Sequence, residues 1–532
     1  MEERYKYLAA RLGSLKEKRA PFEAVWDKAA ELCALNSAIY TVSNDGRIIR
    51  NIFDSTGRTA LTSFAASMKS LIAPSNTRYH RLKASNPAMA GNDNATRYLE
   101  YATDLCFKFR YQADSRFSSE SDLLFNSLGV FGHDVFLTDD NPGRGIYYRS
   151  IPVREAFIDT NRHNLVDVVY REFCLTARDA VREFGKDTPA KIVREYERDP
   201  ASKRAFTFVH CVEPREEFNP RYKDSYNMPV ASYTICRDED MLISESGYRV
   251  MPYAVPRYMI RDNSPYGDSP AMQAFYDILT ANEMGKTFLR AGQLQANPGL
   301  LTSMDNGAAR AGQPGAVVKG GLDGNGRPRV VPMQYGNNLS ITLEMQERYR
   351  QIIETAFLKP LFLSLLDNTR QMTATEVSER KAERGMLLAP MSERITSEWL
   401  NAVVRRELDI IASYGLLDDV PDELAYDGAI AIEFESPAVH LQDAGKVAGM
   451  YQTIEGALSL AALAPNVVDV IDADETLRAL AQYRDATTKI IRTPEKVAEI
   501  RQAKAQAVET QQLLDAAPVV SQTIKNLGGA GV

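Results

Sequence analysis

Along residues 2–35 apolar side chains recur at helical spacing: Tyr7, Leu8, Leu12 and Leu15, then Phe22, Val25, Trp26 and Ala29. Pro21 stands between the two groups, so the pattern predicts that one helix stops there and another starts. A further stripe, Ala60, Leu61, Phe64, Met68 and Leu71, follows Asp54-Ser55-Thr56 and ends at Pro74. Asp54 or Ser55 is placed to cap the free amides of its first turn. From about residue 128 to 175 the texture changes. Val130, Phe131, Val135, Phe136 and Leu137, then Ile146, Tyr147 and Tyr148, then Val166, Val168, Val169 and Tyr170 predict strands. Asp140-Asn141-Pro142-Gly143 supplies a hairpin turn between the first two. Thr176 and Asp179 open a short helix that Gly185 closes, and a second strand-rich stretch runs from Phe206 to about Val255. The first half therefore reads as an α+β lobe with helices outside a mostly antiparallel sheet.

The middle of the chain reads differently. Residues 271–297 predict one continuous helix of about 39 Å, stopped by Asn297-Pro298-Gly299. Residues 298–336 hold nine glycines and four prolines around two β-prone pieces, Val317-Val318 and Val330-Val331. A second helix is predicted over about 340–363, with Met345, Tyr349, Ile352, Ile353, Ala356 and Phe357 on one face. After the polar break Asp367–Gln371, Thr373 and Glu376 form a capping box. The helix that it starts runs to about 415 along Met391, Ile395, Trp399, Val403, Ile410 and Ile411, with a kink expected near Gly385 and Pro390. Residues 407–445 contain ten Asp or Glu and no Lys or Arg, a solvated face by default, or one that meets a basic neighbour. Helices resume after 443, and 516–532 lose periodicity and are expected to be flexible. The fold class is α+β, predominantly helical.

Composition narrows the function. A chain of 532 residues, 44% hydrophobic and 25% charged, exceeds what one core usually serves and lacks a membrane-spanning apolar run. The charged first helix carries no secretory signal, so assembly in a cytoplasm is expected. Cys33, Cys106, Cys174, Cys211 and Cys236 form no CxxC pair and read as buried free thiols, and the five histidines show no zinc spacing. Neither a metal nor a cofactor is expected. A net charge of −7 excludes a surface that grips DNA all over.

Three enzyme signals fail on inspection. Gly285-Lys286-Thr287 looks like the end of a phosphate-binding loop, but Thr280 stands where the motif needs glycine and the segment before it reads as helix, not strand. No GxSxG occurs, and His133 and Asp134 adjoin in a strand-like segment that points them to opposite faces. Asp472-Ala473-Asp474-Glu475 lacks the alternating oxygens and glycine of a calcium loop and reads as a capped helix start.

Five segments in order resemble the portal, or head-to-tail connector, family of short-tailed double-stranded DNA bacteriophages. They are Asn51-Ile52-Phe53-Asp54-Ser55-Thr56-Gly57 with Ala73-Pro74 and Arg78-Tyr79, Tyr266-Gly267-Asp268-Ser269-Pro270-Ala271, Asn297-Pro298-Gly299, Met372-Thr373-Ala374-Thr375-Glu376-Val377, and Ala461-Ala462-Leu463-Ala464-Pro465. Together they cover roughly residues 1–515. Tyr79 stands where many relatives carry tryptophan. The resemblance implies a structural protein, not an enzyme: a ring of protomers, commonly twelve, at one capsid vertex of the virion. Through it the genome is packaged and ejected, and to it the tail attaches.

It also implies a division of the chain. The wing would be 1–270 with a return over 376–440, stem helices 271–297 and 337–363, a clip 298–336, a tunnel loop 364–375 and a helical crown 441–515. Implied partners are double-stranded DNA, tail adaptors, the terminase packaging motor, and capsid, scaffold and internal core proteins, with no membrane. The tunnel loop would present Asn368, Thr369, Arg370 and Gln371 to DNA, with Arg370 touching phosphates or else pairing with Asp367 or Glu376. Glu283, Lys286 and Arg290 are candidates for the channel lining, and Arg310, Lys319, Arg327 and Arg329 for docking at the clip. The clip strands are expected to pair partly between protomers. Competing readings are a nucleotide-hydrolysing or DNA-processing component of the same machine, which would use Gly285-Lys286-Thr287, or another structural protein such as a coat protein or tail adaptor.

Overall fold

The computed structural model describes every residue except 1, 35–51, 87–91, 220, 223, 263, 299, 303–321, 323, 329, 334–338, 367–373, 418–419, 425–427, 436–448, 461–469, 475, 478–495, 505 and 507–532. The chain divides into two units, one over 1–372 and 383–442, the other over 373–382 and 443–532. The class is α+β and mainly helical, and among the described residues every strand pairs antiparallel.

In the first unit, helix α1 (Glu2–Cys33) runs unbroken through Pro21, contrary to the expected stop. A proline inside a helix forfeits a hydrogen bond at about 3 kcal/mol, and packing on both sides of it outweighs that loss. Tyr5, Leu8, Leu12 and Leu15 lie on the face of a five-stranded sheet, while Trp26, Ala29, Ala30, Leu32 and Cys33 enter the main core. Between the two halves the buried Arg19 donates to the carbonyls of Val153, Arg154 and Ala156 at 3.2, 3.0 and 2.9 Å.

Helix α2 (Thr56–Ile72) follows, then strand β1 (His80–Ala84) and helices α3 (Asp93–Arg110) and α4 (Phe117–Phe131). Val130 and Phe131, expected in a strand, instead close α4. Gly132, at φ 78°, caps the helix, and strand character begins only beyond it. Strands β2 (Val135–Asn141) and β3 (Gly145–Ile151) make the expected hairpin in the register Asn141↔Gly145. Strands β4 (Ala156–Thr160), β5 (Val166–Thr176), β6 (Ala205–Pro214), β7 (Val230–Cys236) and β8 (Met241–Tyr248) form the five-stranded sheet in chain order. Helices α5 (Ala177–Phe184) and α6 (Ala190–Arg198) sit between β5 and β6. Thr176 accepts from the Asp179 amide at 3.3 Å and Gly185 closes α5, as the sequence indicates. All five cysteines are free thiols; Cys174, on a strand, is exposed, and the other four are buried.

The single long helix expected over 271–297 is two pieces, α7 (Pro270–Gln273) and α8 (Phe275–Ala296), because Ala274 leaves helical backbone at φ −88°, ψ 12°. At 22 residues α8 spans about 33 Å. The second helix also divides, into α9 (Leu339–Ala356) and α10 (Lys359–Leu366). Pro360 has no amide to bond the Ala356 carbonyl, and Leu358 turns the chain at φ 58°.

Helix α11 (Ala374–Ile395) is continuous and carries Pro390 inside it. Met386, whose carbonyl loses its partner to that proline, is 65% exposed, so water can satisfy it. The irregularity comes later, as a π-helical turn over Thr396–Leu400 leading into α12 (Asn401–Ser413). Tertiary contacts hold it there. Trp399 is fully buried, stacked on Phe117 at 5.8 Å and edge-on to Phe125 and Phe136, and Glu398 accepts from Arg257 at 2.5 Å. The last strand of the unit, Ile430–Phe434, pairs with β1. In the second unit residues 449–460 and 496–504 are helical.

Asp134 lies fully buried at the start of β2 and accepts from the Ser150 hydroxyl at 3.0 Å. Burial pushes its carboxyl up to about 7 against the pull of the Ser150 and Ser127 hydroxyls, and Glu120 adds to the rise. An unfolded aspartate titrates near 4 (~3.9). The native state therefore keeps a proton that the unfolded chain has lost. The stability Asp134 contributes is complete below about pH 4 and disappears as pH rises through about 7. Asp134→Asn is expected to flatten the fall in melting temperature between those limits; parallel profiles for variant and parent would contradict it.

Candidate functional site

The two long helices α8 and α9 are joined by a short stretch of chain that precedes α2. Asn282 of α8, buried, accepts from the Phe53 amide at 2.7 Å and the Asp54 amide at 3.3 Å through Oδ1. One oxygen of Asp54 accepts from the Thr56 amide at 2.8 Å, while Ser55, at the N-cap position itself, makes no side-chain capping bond. The other accepts from α9, from Arg350 Nε at 3.0 Å and Gln346 Nε2 at 3.2 Å. Burial alone would raise the Asp54 carboxyl, but the bonds from Thr56 and the Arg350 guanidinium outweigh it and hold the group below the usual carboxylate range. A backbone loop thus ties α8 to α9 through one carboxylate and one carboxamide.

The same loop accounts for Gly285. A Cβ there would lie 2.9 Å from the Phe53 carbonyl oxygen, closer than real Cβ contacts come, and the obstacle is backbone. Lys286 stands 5.9 Å from the Phe53 ring and 3.2 Å from Glu283. The Gly-Lys-Thr triplet therefore sits within a helix, its glycine required by close packing and its lysine engaged with a carboxylate and an aromatic ring.

The start of α7 is anchored with similar economy. Ser269 Oγ accepts from the Met272 amide at 3.0 Å and donates to the Val130 carbonyl at 2.8 Å, with Pro270 at the first helical position. Tyr266 is fully buried against Phe22, Trp26 and His133. Of the segments singled out in the sequence, Tyr266–Ala271 anchors the start of α7, and Phe53–Thr56 holds α8 at Asn282.

Two buried ion pairs brace the surroundings. Arg110 and Glu407 are both inaccessible and meet through two bonds, at 2.8 and 2.5 Å. The Tyr148 hydroxyl donates to Glu407 at 2.5 Å, and Arg110 donates to the Tyr79 hydroxyl at 2.8 Å. The tyrosine at position 79 thus supplies an oxygen to the arginine. Arg257 is held by Glu398 and by the Asn164 side chain and carbonyl.

The acidic stretch partly faces its own chain. Glu433 pairs with Lys83, Glu435 pairs with Arg81 at 3.0 Å, Asp409 takes Arg406 at 2.6 Å, and Glu407 is the buried partner just described. An open cleft of about 960 Å³ beside the start of α1 carries both signs of charge, and its Arg11 and Glu213 lie 3.5 Å apart.

Among the site candidates read from the sequence, Glu283, Lys286 and Arg290 fall on α8 within two helical turns, Arg290 exposed. Arg327 is exposed. Asn368, Thr369, Arg370, Gln371, Arg310, Lys319 and Arg329 lie outside the described residues, as do Val317, Val318 and Thr373. Val330 and Val331 pair within this chain with Thr302 and Leu301. The capping box is represented only by the helix that begins at Ala374. Asp472 caps its helix start, accepting from the Asp474 amide at 2.9 Å. Asn282, Gln346 and Arg350 were missed: their role depends on a partner more than 200 positions away, and no local pattern marks it.

Gly285→Ala and Gly292→Ala offer a matched pair, since a Cβ at 292 would meet nothing within 4 Å. Both gain helix propensity of about 1 kcal/mol. Gly292→Ala is expected to raise the melting temperature and Gly285→Ala to lower it; a rise in both would contradict the joint.

The sequence pattern of the family described as "Bacteriophage head to tail connecting protein" matches residues 5–491. The "Probable portal protein" of Bordetella phage BPP-1 is 27% identical over 533 aligned positions, 97% of this chain and 93% of that one. The "Portal protein" of Salmonella phage epsilon15 is 26% identical, over 98% and 94%. Among solved structures, a chain from the neck of an empty GTA particle superposes at a TM-score of 0.38 with 11% identity, over 80% of this chain and 93% of that one.

Proposed function

The chain belongs to the bacteriophage head to tail connecting family and works as a portal protein, a ring-forming component of the virion, and we propose that α8 and α9 form the wall of its DNA channel. The observation that carries this assignment is the Phe53–Asp54 joint. A conduit needs walls that hold their spacing while a long polymer slides past, and the Phe53–Asp54 loop, held to α8 through Asn282 and to α9 through the Asp54 carboxylate, fixes that spacing.

The charge along α8 suits passage without capture. Duplex DNA carries one charge per about 1.7 Å, and six to ten phosphate contacts already give tight, salt-dependent binding. Along about 33 Å the wall faces roughly twenty phosphates. A uniformly basic helix would act as a brake, but Asp277 and Glu283 offset Lys286 and Arg290.

The finer division is proposed on the same footing. The first α+β half with the return over 376–440 forms the wing, 298–336 the clip, 364–375 the tunnel loop and 441–515 the crown. The ring has twelve copies and stands at one capsid vertex, assembled in the host cytoplasm with scaffold and internal core proteins. Arg310, Lys319, Arg327 and Arg329 supply a basic clip edge for tail adaptors and the terminase motor, and clip strands pair with the neighbouring protomer in addition to the Leu300–Thr302 and Val330–Pro332 ladder within the chain. Asn368, Thr369, Arg370 and Gln371 face the DNA. We assign no catalytic step to any residue: the Gly285-Lys286-Thr287 reading as a nucleotide site is displaced by the packing role of Gly285.

Particles assembled without this chain are expected to hold no DNA and carry no tail. Particles bearing Arg370→Ala are expected to package but to leak DNA on storage. Filled, tailed particles in the absence of the chain would contradict the function, and unchanged retention in the variant would remove Arg370 from the DNA contact.

A further inference from the structure

Beside the start of α1 an open cleft of about 960 Å³ lies between that helix and the ends of β4, β5, β6 and β7. Its size is at the upper end of the roughly 300–1,000 Å³ typical of ligand sites. The walls carry the carboxylates of Glu3, Asp167, Glu213, Glu216 and Glu217 against the guanidiniums of Arg4, Arg11 and Arg215. Each arginine is already engaged. Arg11 stands 3.5 Å from Glu213, and Arg215 pairs with Glu245 at 2.9 Å. Arg4 lies over the rings of Tyr233 and Tyr7, at 4.9 and 5.8 Å. Glu3, Glu216 and Glu217, all exposed, meet no cation among the described residues. The cleft therefore has carboxylates in surplus.

A row of exposed carboxylates is ordinarily a solvated face. Here the row lines a concavity and stands beside aromatic rings of the kind that anchor protein interfaces. Tyr7 on its wall is 43% exposed, and the excursion that continues from Glu217 exposes Phe218, Tyr222 and Tyr226. The charges decide the class of occupant. A phosphate backbone would be repelled by the surplus carboxylates. A bare polyamine would satisfy them but would offer no acceptor to Arg4, whose guanidinium has no carboxylate partner among the described residues. A peptide supplies both, cationic side chains for the carboxylates and backbone carbonyls for the guanidinium.

We propose that this cleft is the docking site for an extended, lysine- or arginine-bearing segment of another protein. Glu3, Glu216 and Glu217 hold its basic side chains, and Arg4 holds its backbone. The site lies entirely in the first unit and goes beyond the channel reading, so it stands whether or not the chain closes into a ring.

Fluorescence anisotropy of a short labelled peptide of alternating lysine and glycine, titrated with the full-length protein, tests this. Saturable binding is expected. It is expected to weaken at least about tenfold when Glu3→Gln, Glu216→Gln and Glu217→Gln are combined, and to weaken with Arg4→Ala. All four side chains are exposed, so these variants are expected to fold. Glu183→Gln, Asp187→Asn and Glu197→Gln remove the same charge from exposed positions around α5 and α6, and together they are expected to leave binding unchanged. Absence of saturable binding, undiminished binding in the cleft variant or an equal loss in the control would each overturn the proposal. Spermine binding more tightly than the peptide would assign the cleft to a polyamine and overturn the peptide occupant. Rings separated by size are expected to bind the peptide as the unassembled fraction does. Binding confined to the unassembled fraction would show that an adjacent copy fills the cleft, which would also overturn it.

Discussion

One carboxylate and one carboxamide hold the mechanical centre of this protein together. Asp54 bonds Arg350 and Gln346 on one long helix, while Asn282 on the other receives the amides of Phe53 and Asp54. The loop adds fixed polar contacts to the direct packing of α8 on α9. With the loop in place a backbone segment sits between them at hydrogen-bond distance, and Gly285 is the concession that lets it fit. The burial of Asp54 would be unfavourable alone; the guanidinium and the Thr56 amide compensate, so the joint is both polar and fixed.

The same device recurs around it. Arg110 with Glu407, and Arg257 with Glu398, each connect the first half of the chain to the return over 376–440. Buried pairs of this kind contribute little net stability against apolar replacements, yet removing one partner costs about 3–5 kcal/mol. Their value here is positional. Each fixes the register of the α11–α12 region against α3 and the segment after β9 (Tyr253–Ala254), where a purely apolar contact of Trp399 and its aromatic neighbours would tolerate small shifts. The π-helical turn at Thr396–Leu400 contains the first of these anchors, Glu398, and the second, Glu407, follows on α12.

Much of the fold was legible because its signals are local. The Asp140–Gly143 turn, the Thr176 cap and Gly185 stop, and the apolar stripe from Ile395 to Ile411 each act over a few residues, and each is found where the pattern puts it. The misreadings have a common cause. Pro21 fails to end α1 because Arg19 and the residues flanking it bond and pack against strands more than 130 positions away. Val130 and Phe131 were given strand character from their side chains, while Gly132 decides where the helix ends. At the site the sequence marked the right segments for partly wrong reasons. Asp54 was legible as a cap but not as a bridge to Arg350, and Gly285 stood out as the remnant of a nucleotide motif when its reason is the carbonyl of Phe53. Glu283, Lys286 and Arg290 fall together on one helix, as the helical pattern requires.

As a portal, this chain is expected to close into a ring around a hole sized for duplex DNA. Electron microscopy of the purified full-length protein, averaged in views down the symmetry axis, tests it most directly. Rings with a central opening wide enough to pass duplex DNA are the predicted result. Closed shells or filaments would contradict it and point to a coat protein instead.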